Sequence, residues 1–188
     1  MNFDLYIREF PEAFSSEVCD RIISKFEDDP RKHPGRTAGG VQSIKTSIDL
    51  GISSGEDDWK DIDTDIFNTI SPIIQEYLKD LSDVLKIDFR ITDTGYQIQK
   101  SPKGEGSYGP HFDGFTPDSS NRLLSVIVYL NNVDEGGETS FPDLDINVIP
   151  VKGKILIFPA QFPMLHEGKI PISGDKYIIS TFVVTSEF

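Results

Sequence analysis

From residue 95 onward the chain is cut into short apolar runs separated by Gly, Pro, Asn and Asp, and this punctuation admits little but a fold built from short strands. The runs are Gly95–Gln99, Leu123–Leu130, Glu138–Phe141, Ile146–Ile149, Lys154–Phe158 and Tyr177–Val184. The first half has a different rhythm. After a strand-like start at Leu5–Phe10, the spacing predicts a helix from about Ser16 to Phe26, with Ser16 as its cap, Glu17 in its first turn, and Val18, Ile22, Ile23 and Phe26 on one face. Residues Asp28 to Gly40 carry Asp-Asp-Pro, His-Pro-Gly and Ala-Gly-Gly in close succession and read as loop, with His33 a solvent-facing histidine. A second helix is predicted from about Asp57 to Leu81, because Ile62, Ile66, Ile70, Ile73, Tyr77 and Leu81 recur at three- and four-residue steps. Pro72 marks where it would kink or split. Helices first and strands after make an α+β chain. The strand spacing suits a two-sheet jelly roll with the N-terminal helices packed on one sheet. One domain is expected over 1–188, helical to about 88 and jelly roll from about 89 to 186.

The candidate chemistry lies among the strands. On an extended strand, side chains at i and i+2 point to the same side, so His111 and Asp113 can reach one metal while Phe112 points into the opposite layer. His166, after the apolar run Lys154–Phe158, supplies a third donor. Alone, a His two residues before an Asp means little in so acidic a chain. The chain has only three histidines, however, and two of them fall into this pattern, with a cation, Lys176, ten residues beyond the second. Two imidazoles and a carboxylate can hold iron(II) on one face and leave the opposite positions open. The same set also suits zinc, as a hydrolytic or structural site on a jelly roll.

Several segments in fixed order carry a resemblance: Tyr108-Gly109-Pro110-His111-Phe112-Asp113, the run from Arg122 to Asn131, Gly136-Gly137-Glu138-Thr139-Ser140-Phe141-Pro142, Pro150-Val151-Lys152-Gly153, and His166 through Gly174-Asp175-Lys176-Tyr177. Together they make roughly the C-terminal half resemble the iron(II)- and 2-oxoglutarate-dependent oxygenases, prolyl 4-hydroxylase-like branch. The N-terminal half is similar only loosely, through Phe14–Cys19 and Lys45-Thr46-Ser47. The resemblance implies a double-stranded β-helix in which the catalytic residues His111, Asp113 and His166 bind iron(II), and 2-oxoglutarate and O2 take the open positions. It implies prolyl hydroxylation in a peptide or protein substrate, release of succinate and CO2, and support by ascorbate. Lys176 matches the residue that pairs with the distal carboxylate of 2-oxoglutarate, and Ser125 stands where a threonine usually lies near that carboxylate. Tyr108 and Arg122 fall on substrate-contacting positions. The Gly136-Gly137 pair supplies turn geometry. Two departures concern the pocket. The upstream tyrosine that often bonds 2-oxoglutarate is replaced by Lys100 or Ser101, and a common tryptophan by Phe182. A different substrate for the same chemistry, such as a free amino acid, another side chain or a small metabolite, is the competing reading.

Charge narrows the partners. Thirty-one acidic against 18 basic residues give a net charge of −13, which repels polyphosphate and argues against nucleic acid. Lys100, Lys103, Arg122, Lys169 and Lys176 form a basic scatter near the candidate site, of which Arg122 and Lys176 are expected to act there. No apolar run approaches the ~20 residues of a membrane helix. Cys19 is the only cysteine, so no internal disulfide forms. The start Met1-Asn2-Phe3-Asp4-Leu5-Tyr6 has neither the basic residues nor the apolar core of a signal peptide, so a cytoplasmic location is expected.

Overall fold

The computed structural model describes residues 5–37, 44–52, 58–85 and 90–185. Thirteen strands and two α-helices are described, besides two single-turn 3-10 helices at Pro117–Ser119 and Pro142–Leu144. The early ones are β1 (Arg8–Phe10), α1 (Ser16–Asp28), β2 (His33–Pro34), β3 (Lys45–Thr46), β4 (Ile48–Ile52) and α2 (Lys60–Leu85). Strands fill the rest: β5 (Ile91–Asp93), β6 (Tyr96–Ser101), β7 (Ser107–His111), β8 (Arg122–Tyr129), β9 (Thr139–Phe141), β10 (Ile146–Val148), β11 (Ile155–Pro159), β12 (His166–Gly168) and β13 (Lys176–Thr185). They form two antiparallel sheets. The larger has the order β1-β11-β8-β13-β6-β4-β2, with β5 also paired to β13, and the smaller has the order β10-β9-β12-β7-β3.

Alternation along the central strands explains how one sheet serves two layers. On β11, Ile155 and Ile157 join the helix-side core, while Leu156 and Phe158 join the core between the sheets. Such a strand must be apolar throughout, which is why it reads as an unbroken run. On β8, Leu124, Val126 and Val128 face the helices, and Ile127 and Tyr129 face the small sheet. The inward register of β8, β6 and β13 turns polar toward one end. There Ser125, Gln99, Ser101, Lys176 and Ser180 line a cavity instead of filling a core.

Both helices lie on the large sheet. α1 buries Cys19, Ile22 and Phe26, with Val18 and Ile23 packed at its flank. Its cap is Ser15 rather than Ser16: the Ser15 hydroxyl accepts from the Val18 amide at 3.3 Å. α2 buries Ile62, Ile66, Ile70, Ile74, Tyr77 and Leu78, with Ile73 only partly covered. It passes through Pro72 without a break. The predicted start at Asp57 and the side chain of Leu81 lie outside the described residues. No described helix is long and apolar enough to cross a membrane.

The N-terminal part is less purely helical than expected. β3 joins the small sheet beside β7, while β4 and β2 extend the large one beyond β6. The predicted loop after Asp28 therefore contains a strand, and His33 pairs with Asp49 across it. Residues 38–40 of that loop lie outside the described residues.

Candidate active site

β7 and β12 run antiparallel with His166 directly opposite His111, so the imidazoles sit side by side, their centroids 4.2 Å apart. His166 thus opens a short strand of its own, distinct from the apolar run before it. Asp113 lies just beyond the end of β7 and turns back. Its Oδ1 is 3.3 Å from His111 Nε2, and its Oδ2 is 3.3 Å from His166 Nε2. Each imidazole has its Nδ1 against a backbone carbonyl two residues earlier, His111 on Gly109 at 2.8 Å and His166 on Met164 at 3.1 Å. A carbonyl only accepts, so each Nδ1 carries a proton and Nε2 is the nitrogen turned to Asp113: protonated, it donates to the carboxylate, and it presents a lone pair when a cation takes that proton's place.

That donor set fits a cation. Three electron-pair donors converge within 4.8 Å of one another. Burial alone would push the Asp113 carboxyl up, but the two imidazoles beside it hold it well below the usual carboxylate range. It is an anion at any physiological pH. Ser125 Oγ donates to Asp113 Oδ2 at 2.6 Å, so in this structure the serine supports the carboxylate. Sequence reasoning placed it beside the cosubstrate and missed this bond.

Phe112 does not enter the opposite layer. Its ring is 5.5 Å from Phe115 and 6.1 Å from Phe162, both strongly exposed.

Lys176 lines the same cavity as the three metal-ligating candidates. It is 5% exposed, and its Nζ donates to the Gly137 carbonyl at 2.9 Å. Gly136 and Gly137 both have positive φ, 73° and 76°, which lets the turn bring that carbonyl to the lysine. No carboxylate lies within ion-pair distance of Lys176 among the described residues. Burial pulls its ammonium down to about 8, against a weaker upward pull from Glu138. A buried cation served by one carbonyl is a ready receptor for an anion. Of the other basic residues, Lys100 pairs with Glu27 and Asp175, and Lys169 pairs with Glu167. Only Ser101 of the two candidate tyrosine replacements lines the cavity.

Tyr108 stacks on His111 with centroids 3.6 Å apart and planes at 17°, so one ring face is taken by that imidazole. Arg122 donates to the Asp113 carbonyl at 3.0 Å and lies 3.6 Å over the Phe182 ring. Both side chains line the cavity mouth. A neighbouring ion pair went unnoticed in the sequence. Lys45 donates to Asp49 at 2.7 Å, and Ser47 to the same carboxylate at 2.7 Å, with Lys45 and Ser47 lining the cavity. Their polar period of two, alternating with Ile48, Leu50 and Ile52, was the available sign of a strand with one polar face.

Residues 96–184, which carry all of these groups except the Lys45 set, match the 2OG-Fe(II) oxygenase superfamily. The family match is to that segment of the chain. Among relatives, probable prolyl 4-hydroxylase 11 of Arabidopsis thaliana is 30% identical over 177 residues, covering 88% of this chain. The chain spans 57% of that relative's length. Among solved structures, the 2-oxoglutarate complex of the viral collagen prolyl hydroxylase from Paramecium Bursaria Chlorella virus-1 aligns with a TM-score of 0.71 at 22% identity, covering 96% of this chain and 97% of that one. A Trichoplax adhaerens prolyl hydroxylase bound to a hypoxia inducible factor peptide fragment aligns at 0.74 with 18% identity, covering 95% and 83%. These likenesses establish the double-stranded β-helix fold.

The Lys176 environment predicts a pH dependence. Only the protonated lysine attracts a dicarboxylate, so 2-oxoglutarate affinity should be level below pH 8 and fall by about tenfold per pH unit above it, one proton being linked to binding. Titration of the Kd between pH 6 and 10, with Lys176→Arg removing the break, checks this.

Proposed function

We propose that this chain is an iron(II)- and 2-oxoglutarate-dependent dioxygenase that hydroxylates prolyl residues in a peptide or protein. The carrying observation is that one cavity is lined by both a three-donor metal set and a buried lysine without a carboxylate partner among the described residues. A metal site needs no such cation. A bidentate keto acid with a second carboxylate needs both.

In this reading His111, Asp113 and His166 hold iron(II), which when loaded with 2-oxoglutarate and O2 supplies the oxidising chemistry that releases succinate and CO2. Everything else is alignment. The Gly109 and Met164 carbonyls hold the imidazole tautomers, and Ser125 holds the carboxylate. Lys176 grips the distal carboxylate of 2-oxoglutarate in a pocket that excludes bulk water. At the mouth, Arg122 is anchored to the Asp113 backbone and offers its remaining donors to a peptide carbonyl. Tyr108 walls the same opening and, by stacking, fixes the plane of His111.

Support for proline as the target comes from the relatives, named as prolyl hydroxylases. The test is mass spectrometry of a proline-rich peptide panel incubated with iron(II), ascorbate and 2-oxoglutarate. The expected result is a gain of one oxygen on proline within a peptide, dependent on 2-oxoglutarate. Equal oxidation of free proline, or oxidation on another residue type, would overturn the substrate assignment.

A further inference from the structure

Lys176 is the first residue of β13, and Ser101, its partner on β6, is the last of that strand. Strand ends are where a sheet frays most readily. On the other side of β13, the strand β8 has already stopped, its last pair being Tyr129 with Ile178. An ammonium gains free energy by reaching water, so this one stays buried only if the main chain that carries it is held.

The Asn131 side chain holds it. The Leu130 amide still donates to the Tyr177 carbonyl at 2.9 Å, as a ladder residue would. Beyond that point a side chain takes over from the backbone of β8. Asn131 Oδ1 accepts from the Tyr177 amide at 2.8 Å, and Asn131 Nδ2 donates to the Asp175 carbonyl at 2.8 Å. Nδ2 also donates to the Asn132 carbonyl at 3.1 Å. Two carbonyls at one end and an N–H at the other admit only one orientation of the amide. Asn131 thus grips the residue before Lys176 and the residue after it, from outside the cavity lining.

Restraints on the opposite face of β13 are weaker. The Asp175 carboxylate lies 3.1 Å from Lys100 Nζ and accepts from the Lys103 amide at 2.8 Å, and the Tyr177 hydroxyl donates to Glu27 at 2.6 Å. The Asp175 and Glu27 side chains are 37% and 39% exposed, and ion pairs that open to solvent contribute little. These contacts hold mostly side chains. The Asn131 bonds hold backbone groups on both sides of the lysine.

We infer that Asn131 is a positioning residue for 2-oxoglutarate: by standing in for the strand that has ended, it keeps Lys176 in the cavity, so the dicarboxylate meets a cation already in place. The inference rests on the proposed reading of Lys176 as the partner of the distal carboxylate and adds a residue that acts only through it.

The test is calorimetry of 2-oxoglutarate binding to the iron(II)-loaded full chain in the absence of oxygen, with iron affinity measured separately. Asn131→Ala and Asn131→Asp are each compared in the wild-type and Lys176→Ala backgrounds. Asn131→Ala removes both bonds and should raise the Kd for 2-oxoglutarate by on the order of tenfold. Asn131→Asp has the same shape, keeps an acceptor for the Tyr177 amide and loses the donor to Asp175, so its loss should be smaller but in the same direction. It decides the matter if the alanine variant does not fold. Iron affinity should stay at the wild-type value in both. In the Lys176→Ala background neither change should weaken 2-oxoglutarate further, because the effect passes through the ammonium.

Iron and 2-oxoglutarate affinities falling together would make Asn131 a general support of the fold and overturn the inference. A further loss in the Lys176→Ala background would overturn it too, as would 2-oxoglutarate affinity untouched by both Asn131 variants. If Lys176→Ala itself leaves 2-oxoglutarate binding intact, the lysine is not the anchor, and the cosubstrate reading falls before the inference does.

Discussion

Replacing His111 or His166 with alanine should abolish 2-oxoglutarate-dependent turnover and strip iron from the protein on desalting. Each change removes one of three side-chain donors that converge on one point. Losing even a hydrogen bond that orients a ligand costs roughly 10- to 100-fold in metal affinity, and losing the ligand itself costs more. The fold should tolerate His111→Ala with less loss than His166→Ala, because the buried His166 ring packs edge-on against Phe158 at 4.7 Å and lies 5.8 Å from Phe141 in the core between the sheets. Asp113→Ala should behave alike unless an added anion fills the gap. Metal analysis of the purified variants, paired with succinate release, is the measurement. Retained succinate release in either histidine variant would sink the metal assignment.

The second large effect belongs to Lys176. Truncation to alanine should raise the 2-oxoglutarate requirement by on the order of a hundredfold or more, the range expected when one member of a buried charge pair is removed. The iron requirement should scarcely move, since Lys176 bonds to Gly137 and to none of the three candidate metal-ligating residues. Separate titrations of the two in the Lys176→Ala variant distinguish these outcomes. Parallel shifts in both would mean that the lysine supports the fold of the cavity and does not grip the cosubstrate.

What could be read from the sequence divides along a physical line. Strands such as β11 and β13 announce themselves because burial on both faces demands unbroken apolar or strictly alternating runs. α2 does so through its isoleucines. Two-residue strands such as β2 and β3 have no pattern of their own. Their conformation is set by partners distant in sequence, Asp49 for His33 and Tyr108 for Lys45. His166 was legible as a donor through the scarcity of histidine, yet its strand was not, because His-Glu-Gly carries no apolar period. The bond from Ser125 to Asp113 joins a strand of the large sheet to the turn after β7 and leaves no local trace. Phe112 was misplaced for a related reason: β7 ends at His111, so strict alternation stops one residue before it.

The two ends of the cavity belong to different layers. His111 and His166 come from the small sheet through β7 and β12, whereas Lys176 and Ser125 come from the large sheet through β13 and β8. Under the proposed function, a dicarboxylate held at the metal and at Lys176 would be a clasp across the sandwich. Its occupancy becomes part of the cohesion between layers: ligand at a hundred times its Kd adds about 2.7 kcal/mol to resistance against unfolding. Under the proposed function, the supply of 2-oxoglutarate would set the stability of the folded molecule as well as its turnover.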